Sequence, residues 1–180
     1  TALQNQVVRR RGPNTALLLL QRTALMKTTT TQLSQSYTVI GWHECISLPE
    51  MNLLDFAVKV DTGAKTTALH AENIETFARD GIKWVRFTAP SPHGIAGQTC
   101  EFPVFTKRDI TNTSGTPETR IVIRTPMVLA GRRWKIDISL TDRGNMRFPL
   151  ILGRRALRSR NILVHPDQSY LVSDKPDFEG

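Results

Sequence analysis

The residues best suited to chemistry lie at Asp61-Thr62-Gly63-Ala64. The aspartate closes an alternating segment in which Leu54, Phe56, Val58 and Val60 are separated by Asp55, Ala57 and Lys59. That alternation predicts a strand with one buried face, delivering a carboxylate at its end. Gly63 permits a tight reversal of the backbone, and Ala64 keeps the next position small. The triplet alone is weak, since average residue usage yields one by chance in roughly a few per cent of chains this long. Asp and Gly at a strand end also make an ordinary turn. Far downstream, Leu150-Ile151-Leu152-Gly153-Arg154 forms an apolar segment that ends in glycine and enters a basic stretch. The Asp-Thr-Gly triplet occurs once, with no internal repeat.

Other candidates divide between a bland role and a chemical one. Asp142-Arg143, after an apolar strand and before Gly144-Asn145, fits either a solvated ion pair in a turn or a substrate contact. Arg154 fits either an ion pair beneath the Asp61 loop or the binding of a substrate carboxylate. Arg154, Arg155, Arg158 and Arg160 crowd about one helical turn, usually a solvated face. Lining a cleft, they would select acidic peptides, because guanidinium forks match carboxylates. His43, His70, His93 and His165 are isolated and no His-Glu-x-x-His occurs, so neither zinc nor another cofactor is expected. His70, inside the block that follows Asp61, is the one histidine to test. No GxxxxGK[ST] loop is present to cradle a phosphate. Cys45 and Cys100 lack CxxC spacing and are too few for a disulfide framework, which predicts buried thiols in a reducing compartment.

The elements that must position these residues read as short strands with turn punctuation. Strands are expected at Tyr37–Trp42, Leu54–Val60, Ile82–Phe87, Glu101–Thr106, Arg120–Arg124, Val128–Leu129, Trp134–Leu140 and Phe148–Leu152. Asp80-Gly81 and Ala130-Gly131 are hairpin signals. Residues 153–160 predict one short helix stopped by Asn161, and Ile162–Val164 with Tyr170–Val172 a closing hairpin. Thr88–Gln98 and Asp109–Glu118 read as loops. The pattern implies an all-β, barrel-like domain.

Bulk properties narrow the class. The 180 residues, 39% of them hydrophobic, suffice for one core and not for two ordinary domains. That domain is expected over residues 37–176, with 177–180 as a tail. No apolar run approaches the roughly 20 residues of a membrane span. Leu17–Leu20 stop at Gln21-Arg22, too short for the apolar core of an export signal, so a cytoplasmic location is expected. The net charge is +8, yet residues 1–43 hold no acidic side chain and carry Arg9, Arg10, Arg11, Arg22 and Lys27. A basic tail attracts nucleic acid without specificity, so no specific nucleic-acid partner is expected. Residues 1–36 are expected to be a disordered or non-native extension and linker, with 1–25 upstream of Met26.

Together, the Asp61 loop and Leu152-Gly153-Arg154 resemble the retropepsin pattern, in which a hydrophobic-hydrophobic-Gly-Arg strand threads beneath the Asp-Thr-Gly loop. The match is closer to a retropepsin-like bacterial family known as ATP-dependent zinc proteases. It rests on Asp61-Thr62-Gly63-Ala64-Lys65-Thr66-Thr67-Ala68-Leu69-His70-Ala71, Trp84-Val85-Arg86-Phe87 and Trp134-Lys135-Ile136. It continues through Leu140-Thr141-Asp142-Arg143, Met146-Arg147-Phe148-Pro149-Leu150 and Leu152-Gly153-Arg154. The resemblance implies a retropepsin-like closed barrel, the single lobe of the acid-protease fold.

It also implies peptide-bond hydrolysis by a homodimer, with Asp61 of each chain in the catalytic pair. Thr62 would then bond across the dimer and Gly63 would shape the loop. Ala64, Asp142, Arg143 and Arg154 are expected on the substrate side, and Thr88–Thr99 in the place of a flap over the cleft. Family members are often associated with ATP-grasp ligases that add glutamate to proteins. An accessory protein that binds peptides or glutamate tails without cleaving them is therefore the alternative. A metal-dependent protease, as the family's name has it, is the third reading.

Overall fold

Strands make up most of the computed structural model, which describes residues 36–91, 97–111, 117–142 and 148–176. β1 (Thr38–Gly41) and β2 (His43–Leu48) are separated by Trp42, and a 3-10 turn at Pro49–Met51 leads to β3 (Leu53–Asp61). β4 (Thr67–His70), β5 (Glu72–Arg79), β6 (Ile82–Ala89) and β7 (Gln98–Pro103) follow. Then come β8 (Thr106–Thr111), β9 (Pro117–Leu129), β10 (Arg132–Thr141), β11 (Leu150–Gly153), a single helical turn α1 (Arg154–Leu157) and β12 (Ile162–His165).

The largest sheet runs β10-β4-β11-β3-β2-β9, and β9 also pairs with β10, so six strands close into a ring. Closure depends on the length of β9. Its first part pairs with β8 up to Val122, and Val122–Leu129 pair with β10. Inside lie Ile46, Leu48, Leu53, Phe56, Val58, Leu69, Ile123, Met127, Ile138, Leu140, Leu150 and Leu152. The separate sheet β5-β6-β7 adds Val85, Phe87, Ala89, Cys100 and Phe102 to this same core. β1 and β12 form a two-stranded parallel sheet. The domain is all-β with one short helix, as the sequence implied, and none of its described helices is long and apolar enough to cross a membrane.

The hairpin signals hold. Asp80 and Gly81 have φ of 51° and 74°, and Ala130 and Gly131 have 51° and 68°. Two consecutive positive values are what a tight β-hairpin needs to match strand twist.

Several boundaries differ from the sequence reading, each for a local reason. Leu54 is exposed and Leu53 takes the inward place, because Asp55 adopts φ 49° and the β2–β3 register shifts between Ile46 and Leu48. Arg120–Arg124 and Val128–Leu129 are one strand that continues through Pro126. The segment read as Glu101–Thr106 divides between β7 and β8, and the expected loop after Asp109 includes the end of β8 and the start of β9. β2, β4 and β5 were not expected at all. The helix is four residues long, since Arg158 already has ψ 137°. Ile162–His165 pairs with β1, while Tyr170–Val172 forms no strand and is held instead by a side chain, Glu44.

Candidate active site

Asp61 ends β3, and β11 fixes it there. β11 runs parallel to β3, with Leu152 opposite Val60 and Gly153 opposite Asp61. It also runs antiparallel to β4, with Leu150 opposite Leu69 and Ile151 opposite Ala68. The Asp61–Thr66 loop thus leaves on one side of β11 and returns on the other.

The threading strand passes very close. Gly153 N–H donates to Thr67 Oγ1 at 3.2 Å, Arg154 N–H to Ala64 O at 2.9 Å and Arg155 N–H to Lys65 O at 3.3 Å. A Cβ on Gly153 would lie 2.5 Å from the carbonyl carbon of Thr66 and 2.8 Å from Thr67 N. Its φ of −75° suits any residue, so glycine is required for space alone. Thr67 is buried, and its carbonyl accepts from Ser139 Oγ at 2.9 Å, which ties the loop to β10.

Asp61 itself is half-buried. Ala64 N–H donates to Asp61 Oδ1 at 3.0 Å, and no other hydrogen bond or ion pair to this group is formed among the described residues. Thr62 and Gly63 are exposed at the loop tip. Arg154 Nη1 donates to Gly63 O at 2.7 Å and to Thr62 O at 3.3 Å. The ion pair considered for Arg154 is therefore replaced by a brace on two backbone carbonyls. On the other side of β3, Val60 N–H donates to Trp42 O at 2.8 Å.

Asp61, Thr62, Gly63, Ala64 and Arg154 thus converge, whereas Asp142 lies apart. Thr141 pairs with His70 at the end of β4 remote from the loop, and exposed Asp142 follows it, its Oδ1 3.5 Å from His70 Nδ1. Arg143 lies outside the described residues, as do residues 92–96 of the expected flap. Thr88 and Ala89 belong to β6, and Gln98 and Thr99 to β7. Of the arginine run, Arg155 and Arg158 are exposed, whereas the Arg160 guanidinium lies 5.4 Å from the Trp134 ring centre, with Arg132 at 5.7 Å. Trp134 Nε1 in turn donates to Ala156 O at 2.9 Å.

His70 is the histidine nearest to a metal-like setting. Its Nε2 is 3.4 Å from Glu72 Oε1, while its Nδ1 faces Asp142. One ring cannot direct both nitrogens at a common point, so the three groups do not converge as zinc ligands must. No group of three or more His, Cys, Asp or Glu that could hold a metal occurs among the described residues. The described residues do not fit zinc.

Sequence reasoning missed Glu44, a fully buried carboxylate in β2, and Trp42, whose carbonyl holds Val60. Neither lies in a motif. The only signal was an isolated acid within an otherwise apolar segment.

A barrel whose Asp-Thr-Gly loop is threaded by a Gly-Arg strand defines a class, the single retropepsin-like lobe. The chain belongs to the RimB-like family, described as the retropepsin-like aspartic endopeptidase RimB, which it matches over residues 39–175. A Desulfotalea psychrophila protein named "Probable alpha-L-glutamate ligase" is 44% identical over 128 residues, 69% of this chain and 27% of that protein. A Parasynechococcus marenigrum protein of the same name is 38% identical over 141 residues, covering 76% of this chain and 29% of its own. The chain therefore spans under a third of the length of these curated relatives. A crystal structure from Legionella pneumophila, of a protein of unknown function, is 30% identical with a TM-score of 0.66, covering 77% of this chain and 100% of that one.

Proposed function

We propose that two copies of this chain form an aspartic peptidase to which each contributes one Asp61. The observation that supports it best is the threaded loop, which holds one carboxylate near an exposed tip with a single internal donor. Two carboxylates about 3 Å apart cannot both ionise, so they share a proton. The charged one takes a proton from a water as that water attacks the scissile carbonyl. The protonated one donates to the carbonyl oxygen and then passes its proton to the leaving amine. With one Asp-Thr-Gly per chain, a two-fold axis must bring the second. Thr62 would meet its counterpart there. Ala64 offers no hydroxyl to the pair, which places the working pH nearer neutral; a pH–rate optimum below about 4 would contradict this. The free buried thiols fit a reducing, cytoplasmic setting.

The ligase names of the relatives favour a second reading, in which the module binds peptides or glutamate-modified tails beside an ATP-grasp ligase without cutting them. Full-length wild type and Asp61→Asn should be compared on a peptide library, with and without chelator. Asn keeps the shape but cannot share the proton. Cleavage by wild type alone, indifferent to chelator, is the expected result. Equal cleavage by both proteins would sink the aspartic mechanism, and binding without cleavage by a folded dimer would favour the second reading. Loss with chelator alone would point to a metal.

A further inference from the structure

Glu44 is buried completely, and among the described residues no Lys, Arg or His forms an ion pair with it. Its two oxygens are met instead by hydrogen-bond donors. Oε1 accepts from Gly41 N–H at 2.6 Å and Leu171 N–H at 2.9 Å, and Oε2 accepts from Ser173 Oγ at 2.5 Å and Val172 N–H at 3.4 Å. Three of these four donors belong to the C-terminal segment 168–174. Taking a carboxyl group out of water costs stability even when its oxygens are hydrogen-bonded, and an apolar side chain would fill the same space without that cost.

The segment does more than close the fold. Its Gln168 carbonyl accepts from Trp42 N–H at 2.9 Å, and Tyr170 N–H donates to His43 O at 2.8 Å. It presses so close that a Cβ on Gly41 would lie 2.6 Å from Gln168 O and 2.7 Å from Ser169 Cα. Trp42 is thereby gripped through its N–H by the segment, while its carbonyl holds Val60 N–H at 2.8 Å. Val60 immediately precedes Asp61. On its other flank β3 is fixed by the β11 ladder, so the Trp42 carbonyl is the last hold on this side before the carboxylate.

We propose that Glu44 is a positioning residue for Asp61, acting through the 168–174 segment and the Gly41-Trp42 peptide. The C-terminal strap is thus part of the frame that sets the height of the carboxylate against its counterpart. The catalytic half of this proposal rests on the aspartic-peptidase reading above; the mechanical half does not.

The test uses Glu44→Gln and Ser173→Ala in the full chain. Gln places an NH₂ where at least one backbone N–H needs an acceptor. Ser173→Ala keeps the carboxylate but removes one donor to it, together with the acceptor that Cys45 N–H uses at 2.8 Å. Amide exchange should accelerate about tenfold or more at Val60 and Ala64 in Glu44→Gln while Ile123 and Ile138 in the barrel stay protected. On a cleaved peptide, kcat should fall about tenfold to a hundredfold with KM within about twofold, because a small misplacement far from the chemistry is felt at the reacting atoms. Ser173→Ala should show the same split at smaller size, and it decides the matter if Glu44→Gln does not fold. Unchanged Val60 exchange, or a kcat that falls only with the folded fraction, overturns the proposal. If wild type itself cleaves nothing, the peptidase reading fails and the exchange arm alone decides the mechanical claim.

Discussion

Gly153→Ala isolates the demand that the threaded loop makes on its strand. The new Cβ would sit 2.5 Å from Thr66 C, 2.7 Å from Thr66 O and 2.8 Å from Thr67 N. Ordinary carbon contacts are about 3.5–4.0 Å, so the overlap is about 1 Å against backbone atoms that cannot rotate aside. Either β11 or the start of β4 must move. β11 is paired on both edges, and displacement stretches the Gly153 N–H bond to Thr67 Oγ1 as well. Overpacking costs about 1–3 kcal/mol and a weakened buried hydrogen bond about 1 more, against less than about 1 kcal/mol gained from a stiffer unfolded chain. The net is about 2–3 kcal/mol, or about 6–10 °C in Tm for a domain of this size. Differential scanning calorimetry measures it directly. Gly81→Ala is the control: its φ is 74° with no neighbouring atom within 4 Å, so its cost of about 1 kcal/mol is conformational alone. A Gly153→Ala melting point within about 2 °C of wild type would show that the loop is not clamped as described.

Three further outcomes follow from the same geometry. Arg154→Ala removes both bonds to the loop-tip carbonyls; if its task is to brace Thr62 and Gly63, kcat falls with KM nearly unchanged, whereas a rise in KM alone would assign it to substrate carboxylates. Burial pushes the Asp137 carboxyl up, but hydrogen bonds from Arg124 and Arg108 outweigh it and hold it below the usual carboxylate range. A lowered folded value means that its stabilisation is present above the unfolded pKa of about 3.9 and is lost as pH falls through the folded one. Asp137→Asn should therefore lower Tm at pH 7 by the equivalent of about 1 kcal/mol, with the difference shrinking below about pH 4 in a calorimetric pH series. Burial raises both thiols, Cys45 further through nearby Asp55 and Glu44. Iodoacetamide at pH 8 should modify the native protein at least about tenfold more slowly than the urea-unfolded chain, as mass spectrometry can count.

How much of this was legible from residue types follows from where each constraint is written. Asp61, Gly63 and Gly153 are legible because their reasons are local or pairwise: a strand end, a reversal, a glycine where two backbones cross. The all-β class is legible for the same reason, since hairpin pairs such as Asp80-Gly81 announce their own geometry. β4 and β5 escaped because Thr67–His70 is only four residues long, and because Glu72–Arg79 is exposed along nearly all its length, leaving no apolar alternation. The phase error at Leu54 has another origin: one residue, Asp55, in a left-handed conformation exchanges which leucine faces the core.

Glu44 shows the deeper limit. Its donors at Leu171, Val172 and Ser173 lie more than 120 residues away in sequence. No spacing rule connects an acid in the second strand to a segment with no strand pattern of its own. Tyr170–Val172 looked like the second arm of a hairpin because its residue types suit one, yet the partner that satisfies its backbone is a carboxylate, not a ladder. That substitution leaves the edge of β12 to β1, and it puts the tail two backbone hydrogen bonds and one peptide link from Asp61. The motif names the proposed reacting group. What holds that group in register is supplied by long-range backbone contacts that only the fold creates, which is why variants at Glu44 and Gly153 test the site more sharply than further changes within Asp-Thr-Gly.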